Sequence, residues 1–243
     1  MVQAIVTGGA VRIGRAISLA LADAGYDIIL IFNNSFNEAK EVSALIEAKG
    51  RSCYLHKVDI SRKENIDTFF ADATRKYDDI RLLVNSSSIF GKYGFRETSE
   101  QIFDSHMNIN VKAPFFMTQN YVQYIGKRQH IESPHIINIL DKKIEGVNTG
   151  HFIYHITKKA LFDLTNALAK DLAPKVRVNA ISPASMLPSN HYEVGKKQHT
   201  YTILSEKDQQ ALKLVTDKIL YLDNAKDLTG QNIVVDTPHD NQS

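Results

Sequence analysis

One cysteine, Cys53, serves all 243 residues, so an intramolecular disulfide and any cysteine-rich metal site are excluded. It falls in a strand-like run, where an inert buried thiol is the expected state. A surplus of charge of one sign is lacking too: 29 Lys+Arg against 27 Asp+Glu leave a formal +2, with the two signs interspersed. That excludes the basic stripe of a nucleic-acid binder and the acidic tail of a solvated interaction segment. There is no apolar run of roughly 18 residues, and the chain opens on Met1-Val2-Gln3-Ala4-Ile5-Val6-Thr7-Gly8 with no charged-then-apolar leader. Neither export nor a membrane span is expected, and the cytoplasm is the expected compartment. Linker-like composition shifts and internal repeats are missing as well, while 43% hydrophobic residues suffice for a substantial core. One domain over residues 1–243 is therefore expected.

What is present is an alternation of short apolar runs with longer amphipathic segments. Ala4–Thr7, Asp27–Phe32, Cys53–Val58, Arg81–Val84, His135–Leu140, Val176–Ile181 and Ile233–Val235 read as strands. Between them the pattern predicts helices over Ile13–Ala24, stopped by Gly25, and Asn37–Lys49, stopped by Gly50. Further helices are expected over Arg62–Lys76 with Ser61 as N-cap, near Ser99, over Asp104–Arg128, over Ile153–Leu172 ended by Pro174, and over Glu206–Tyr221. Such alternation implies right-handed βαβ crossovers and a parallel sheet covered on both faces, the α/β doubly wound class. Only residues 182–202 break the rhythm. A long loop after a strand's C-terminal end is expected to cover substrate, with an ordinary surface loop as the alternative.

Thr7-Gly8-Gly9-Ala10-Val11-Arg12-Ile13-Gly14 lies between the first strand and the first helix. Glycines there let the backbone approach a pyrophosphate, whose charge the helix N-terminus stabilises. The second strand ends Ile31-Phe32-Asn33-Asn34-Ser35, with no carboxylate before Glu38 to hold a ribose 2′-hydroxyl. Asn34 and Ser35 suit a 2′-phosphate, with Arg12 lending charge, so NADP(H) is the expected cofactor; the alternative is that these are plain loop residues.

Tyr154 and Lys158 stand four residues apart on one face of a predicted helix. The ammonium is expected to lower the phenol's pKa and fit it for proton transfer. Tyr192 and Lys196 repeat the spacing, but with Gly195 between them and no preceding strand. Tyr154 is preferred because it follows the strand end Asn138-Ile139-Leu140-Asp141 and opens a strongly patterned helix.

At these positions the chain resembles the short-chain dehydrogenase/reductase family along nearly its whole length. The glycine turn resembles Thr7-Gly8 through Gly14. The adenine-contacting acid matches Asp59 in Val58-Asp59-Ile60, and the motif after the fourth strand matches Asn85-Ser86-Ser87-Ser88. The helix asparagine that relays protons through water matches Asn110, the active-site pair matches Tyr154 and Lys158, and the next strand matches Arg177 to Pro183. The resemblance implies a Rossmann-type sandwich with a seven-stranded, mostly parallel sheet in the order 3-2-1-4-5-6-7. It implies cofactor contacts from Thr7, Gly8, Arg12, Ile13, Gly14, Asn34, Ser35, Asp59, Ile60, Asn85, Ser86, Ser87, Tyr154, Lys158 and Pro183. A homotetramer or dimer packed through Asp104–Arg128 and Ile153–Leu172 is implied as well.

The departures narrow the resemblance. Arg12 stands where most members carry glycine, Asp141 where they carry a catalytic serine, and Asp236-Thr237-Pro238 where they carry Asp-Gly-Gly. The first two departures, with Ser88-Ile89-Phe90 after the fourth strand and an acid thirteen residues before the tyrosine, resemble pteridine reductases and dihydromonapterin reductases. A serine hydroxyl suits a ketone oxygen; a pterin offers a C=N bond whose nitrogen takes a proton, and a carboxyl can orient or recharge the phenol. The implied catalytic set is Asn110, Asp141, Tyr154 and Lys158, and the implied substrate set Arg12, Ser88, Phe90, Asp141 and Tyr154. Phe90 is expected to stack on the pterin; ordinary core is its plain alternative. Helix capping or a salt bridge is the alternative for Asp141, and phosphate binding alone for Arg12. NADPH-dependent reduction of a dihydropterin of the dihydromonapterin or dihydrobiopterin kind, with dihydrofolate behind them, is the leading expectation. Carbonyl reduction, as of a 3-oxoacyl thioester, and a non-catalytic NADP-binding sensor are the alternatives. No metal, nucleic-acid or membrane partner is expected.

Overall fold

The computed structural model describes residues 1–184 and 205–236. Strand β2 (Asp27–Phe32) shows how sequence assigns the layers. All six of its residues are buried. Ile28, Leu30 and Phe32 enter one apolar layer, Ile29 and Ile31 the other, as the two-residue period of a strand covered on both faces requires. Strand β1 (Gln3–Thr7) divides Ala4 and Val6 from Ile5 in the same way, and β4 (Ile80–Asn85) divides Leu82 and Val84 from Leu83. With β3 (Cys53–Lys57), β5 (His135–Ile139), β6 (Arg177–Pro183) and β7 (Asn232–Val235) they form one sheet in the order β3-β2-β1-β4-β5-β6-β7. Every pairing is parallel. This is the doubly wound arrangement expected from the alternation, in the Rossmann-type order that the family resemblance implies.

Helices α1 (Arg12–Asp23), α2 (Phe36–Ala48) and α7 (Glu206–Asn224) cover the first layer through Ile17, Leu21, Val42, Ile46, Val215 and Ile219. Helices α3 (Lys63–Lys76), α5 (Ala113–Gly126) and α6 (Phe152–Asp171) cover the second through Phe69, Phe70, Met117, Tyr121 and Ala169. The expected stops hold: Gly25 and Gly50 take φ of +97° and +75° just past α1 and α2, the left-handed exit that glycine adopts without strain. Among the described residues no helix is long and apolar enough to cross a membrane.

Three expectations about individual elements are corrected. Ser61 does not cap α3. Its hydroxyl and its N–H both donate to Asp59 Oδ1, at 2.6 and 3.1 Å, and the cap residue is Arg62, without a side-chain bond. The helices expected near Ser99 and over Asp104–Arg128 are one helical run. It starts as α4 (Glu100–Met107), capped by Ser99, passes through a π-helical turn at Asn108–Lys112, and continues as α5. The wider turn falls on Asn110, and such turns recur at functional sites. Cys53 is half-buried rather than fully buried, because β3 is an edge strand; burial still pushes its thiol up to about 11.

A buried polar network pins α7 under the N-terminal ends of the strands. Asp223 accepts from Tyr26 Oη at 2.5 Å and pairs with His135 Nδ1 at 3.2 Å, with Arg177 Nη2 3.9 Å away. Burial alone would raise Asp223, but the bonds from His135 and Tyr26 and the charge of Arg177 outweigh it and hold the carboxyl below its usual value. Asp223→Asn is therefore expected to cost about 2 kcal/mol, the worth of charge-assisted bonds lost in a buried setting. Thermal unfolding should report it as a melting point lower by about 6 °C; an unchanged midpoint would mean that the network adds nothing.

Candidate active site

The residues singled out in the sequence collect at the C-terminal ends of the strands, where ligands of open α/β sheets bind. At the end of β1, Thr7 Oγ1 accepts from the backbone N–H groups of Ser86 and Ser87, both at 3.0 Å. One hydroxyl thus locks the glycine turn to the segment after β4. A Cβ at Gly14 would stand 2.1 Å from the Gly8 carbonyl oxygen, so the first turn of α1 lies directly against the turn that precedes it. The residue before α1, Val11, offers its helix no side-chain cap. The first N–H groups of α1, without a side-chain cap and next to the glycine turn, are of the kind that serves as an anion site. Arg12 takes φ +51°, a left-handed backbone that costs a non-glycine residue about 1–2 kcal/mol. Its guanidinium lies close enough to Tyr154 for each to feel the other's charge.

Farther along the same edge, Asn34 is exposed after β2, and Ser35 precedes α2 without capping it through its side chain. Asp59 spends Oδ1 on Ser61, Ile60 is buried in the second apolar layer, Ile13 packs against the first, and Pro183 is buried at the end of β6. Asn85 donates to Asn138 Oδ1 at 2.8 Å, and Asn138 donates to Thr165 Oγ1 at 2.9 Å. Thr165 gives its own proton to Leu161 O, so the chain of donors has one sense. It leaves Asn85 Oδ1 buried with no hydrogen-bond partner among the described residues.

At the centre, the Tyr154 phenol donates to Asp141 Oδ2 at 2.9 Å. Asp141 Oδ1 accepts from the Lys143 N–H at 2.8 Å and caps a short 3₁₀ turn, Lys142–Glu145. The capping and the functional readings of this acid are thus both met, one by each oxygen. Lys158 Nζ donates to Ile139 O at 2.8 Å and sits 5.7 Å from the Tyr154 ring centre.

The expected lowering of the tyrosine pKa is not what this geometry gives. Burial first, then the charge and hydrogen bond of Asp141, hold the Tyr154 phenol well above its ordinary value, with Arg12 pulling the other way. Lys158 bears the cost of burial instead: its ammonium is pulled down to about 8, and Asp141 pushes back. A protonated phenol beside a cation is a proton donor in waiting.

Asn110 is held by four hydrogen bonds of its side chain. Its Oδ1 accepts from Ile89 N–H at 2.9 Å and Ser88 Oγ at 3.1 Å, and its Nδ2 donates to Ile89 O and Thr157 Oγ1, both at 3.0 Å. The side chain is a clamp on the 88–89 segment, and the Ser88 hydroxyl donates to it. That clamp positions Phe90, whose ring meets Tyr154 edge-on at 4.7 Å and stacks on His151 at 4.4 Å. One face of Phe90 is therefore taken by protein, which leaves a planar ligand at most the other. His151, Thr157, Asn138 and Thr165 have no sequence signal of their own; they are recognised by what they touch. Tyr192, Lys196 and most of the 182–202 segment lie outside the described residues.

Comparison with known proteins agrees with this arrangement. Residues 3–199 match the family model described as short chain dehydrogenase. The chain is 27% identical to the 3-oxoacyl-[acyl-carrier-protein] reductase FabG of Staphylococcus aureus over 96% of both proteins. It is 30% identical to an NAD-dependent glycerol dehydrogenase of Listeria innocua, over 96% of this chain and 91% of that one. Among solved structures, the FolM alternative dihydrofolate reductase 1 of Brucella canis, complexed with NADP, superposes with a TM-score of 0.79 at 26% identity, covering 98% of this chain and 97% of the other. The chain belongs to the short-chain dehydrogenase/reductase family.

Proposed function

We propose that this protein uses NADPH to reduce a dihydropterin to its tetrahydro form. The Tyr154–Asp141 hydrogen bond carries the reading: a carboxylate partners the phenol where a serine is usual. The likeness to FolM, whose crystals hold NADP, supports both cofactor and substrate class. The α1 N-terminus with Thr7, Gly8, Arg12, Ile13 and Gly14 would hold the pyrophosphate, Asn34 and Ser35 the 2′-phosphate, Asp59 and Ile60 the adenine side. Asn85, Ser86, Ser87, Tyr154, Lys158 and Pro183 would hold the nicotinamide half. When bound, NADPH supplies a hydride.

The protein's own part is the proton. Tyr154 gives its phenolic proton to the pterin nitrogen of the C=N bond whose carbon has taken the hydride, so the former π pair becomes the new N–H bond. Lys158 and Arg12 compensate the phenolate left behind, and half-exposed Asp141 returns a proton from solvent. The side of Phe90 away from His151 would flank the flat substrate, and Asn110 keeps the ring in place through the 88–89 segment. A homo-oligomer accompanies this reading, supported by the exposed Phe103, Phe115 and Ile156 on α4, α5 and α6.

Likeness to FabG favours a second reading, carbonyl reduction of a 3-oxoacyl thioester. It loses ground because Asp141 replaces the serine that would polarise the carbonyl; of the two hydroxyls that could substitute, Ser87 and Ser88, the second donates to Asn110. Incubation with NADPH and either dihydrobiopterin or acetoacetyl-CoA separates the two. Faster NADPH oxidation with the pterin is expected; turnover of the thioester alone would transfer the assignment to the second reading.

A further inference from the structure

Asp141 does not stand on a stiff element. It caps a 3₁₀ turn of 4 residues whose only buried side chain is Ile144, and beyond it lie exposed Gly146 and Val147. So short a turn has little stability of its own. Its carboxylate is aimed at Tyr154 only while Oδ1 stays engaged by the Lys143 N–H, which requires the turn to be formed.

The first residue of that turn, Lys142, makes an ion pair with Asp236, 94 residues away in sequence. Asp236 directly follows Val235, which is buried, pairs with Pro183 in the sheet and accepts from the Ala184 N–H at 2.8 Å. The anchor end of the pair is therefore fixed to the sheet. Both side chains are partly withdrawn from water, at 30% and 21% exposure, which makes the pair worth more than a fully exposed one.

We infer that Lys142 and Asp236 are positioning residues, a peg from the end of β7 that holds the turn so that Asp141 faces Tyr154. This rests on the reading of Asp141 given above. Neither residue touches the reacting atoms. Lys142→Met and Asp236→Asn are each expected to lower kcat about tenfold, the scale of a small misplacement of a reacting group, with KM for NADPH unchanged. Lys142→Arg should keep the wild-type kcat, and the exchange Lys142→Asp with Asp236→Lys should recover more activity than either reversal alone.

The rates are to be read on dihydrobiopterin and acetoacetyl-CoA in parallel, using whichever is reduced, with thermal unfolding on every variant and Asp141→Asn alongside. If Asp141→Asn is impaired while the pair variants turn over like wild type, the peg is overturned and the reading of Asp141 stands. If Asp141→Asn itself keeps full kcat, both fall together. A change confined to the melting point, or Lys142→Arg failing as badly as Lys142→Met, also counts against the peg.

Discussion

Tyr154→Phe is expected to lose about 10³-fold in kcat, ~4 kcal/mol of transition-state stabilisation, the usual weight of a positioned proton donor. Among the described residues, the phenol is the only group placed both against Asp141 and beneath Phe90. Phenylalanine keeps the ring, and with it the edge-on packing, so the fold and NADPH binding should be unchanged in a fluorescence titration. A variant that retained more than a tenth of wild-type kcat would remove Tyr154 from the chemistry.

The pH profile of the wild type belongs to the same argument. Lys158 helps Tyr154 only as a cation, and burial has pulled its ammonium down to about 8. Protonated below that value and neutral above it, it should make kcat/KM fall as the pH rises through about 8, since kcat/KM reports the free enzyme's groups. Tyr154 itself keeps its proton throughout this range, because burial and Asp141 hold it well above the ordinary phenol value. An alkaline limb that survives in Lys158→Arg would therefore have to come from another group.

Much of this is legible in the sequence because it is local or periodic. Tyr154 and Lys158 meet on a helix face at a fixed spacing, and the division of Ile28 to Phe32 between two layers follows from strand geometry alone. The sheet order is what the family resemblance implies; the alternation of elements by itself gives only a parallel sheet covered on both faces. What cannot be read depends on partners brought from afar. Asn110 reaches back 21 residues to Ile89, and the π-helical turn that carries it leaves no mark in an apolar pattern. Spacing gives the wrong sign for the Tyr154 pKa because it shows the cation nearby but neither the burial nor the bond to Asp141, which hold the phenol up. Ser61 fails as a cap for a similar reason: Asp59, two residues earlier, competes for its hydroxyl. The choice of Asp141 over a serine is visible as a departure, yet its division of labour between Lys143 and Tyr154 is not.

Gly14 is the position where one added carbon should do the most damage to the fold and to the cofactor site together. The atoms that an alanine Cβ would meet there are all backbone: Gly8 O at 2.1 Å, Gly8 C at 2.8 Å and Gly9 Cα at 3.2 Å. No side-chain rotation relieves such an overlap, so α1 and the glycine turn must separate. That withdraws the helix N-terminus from the phosphate cradle and loosens Ser18, whose hydroxyl lies 3.0 Å from Gly14 O and 3.1 Å from Gly9 O. Gly14→Ala is expected to destabilise by at least about 3 kcal/mol, the upper range for overpacking, and to abolish measurable NADPH binding. Gly126→Ala is the control. That glycine is exposed at the end of α5, and a Cβ there meets nothing within 4 Å. Alanine in a helix gains about 0.5–1 kcal/mol over glycine, so this variant should melt slightly higher and bind NADPH as before. The two alanine variants differ only in where the methyl group lands. Equal melting points and equal NADPH affinities would mean that the close approach of α1 to the turn is not what builds the nucleotide site.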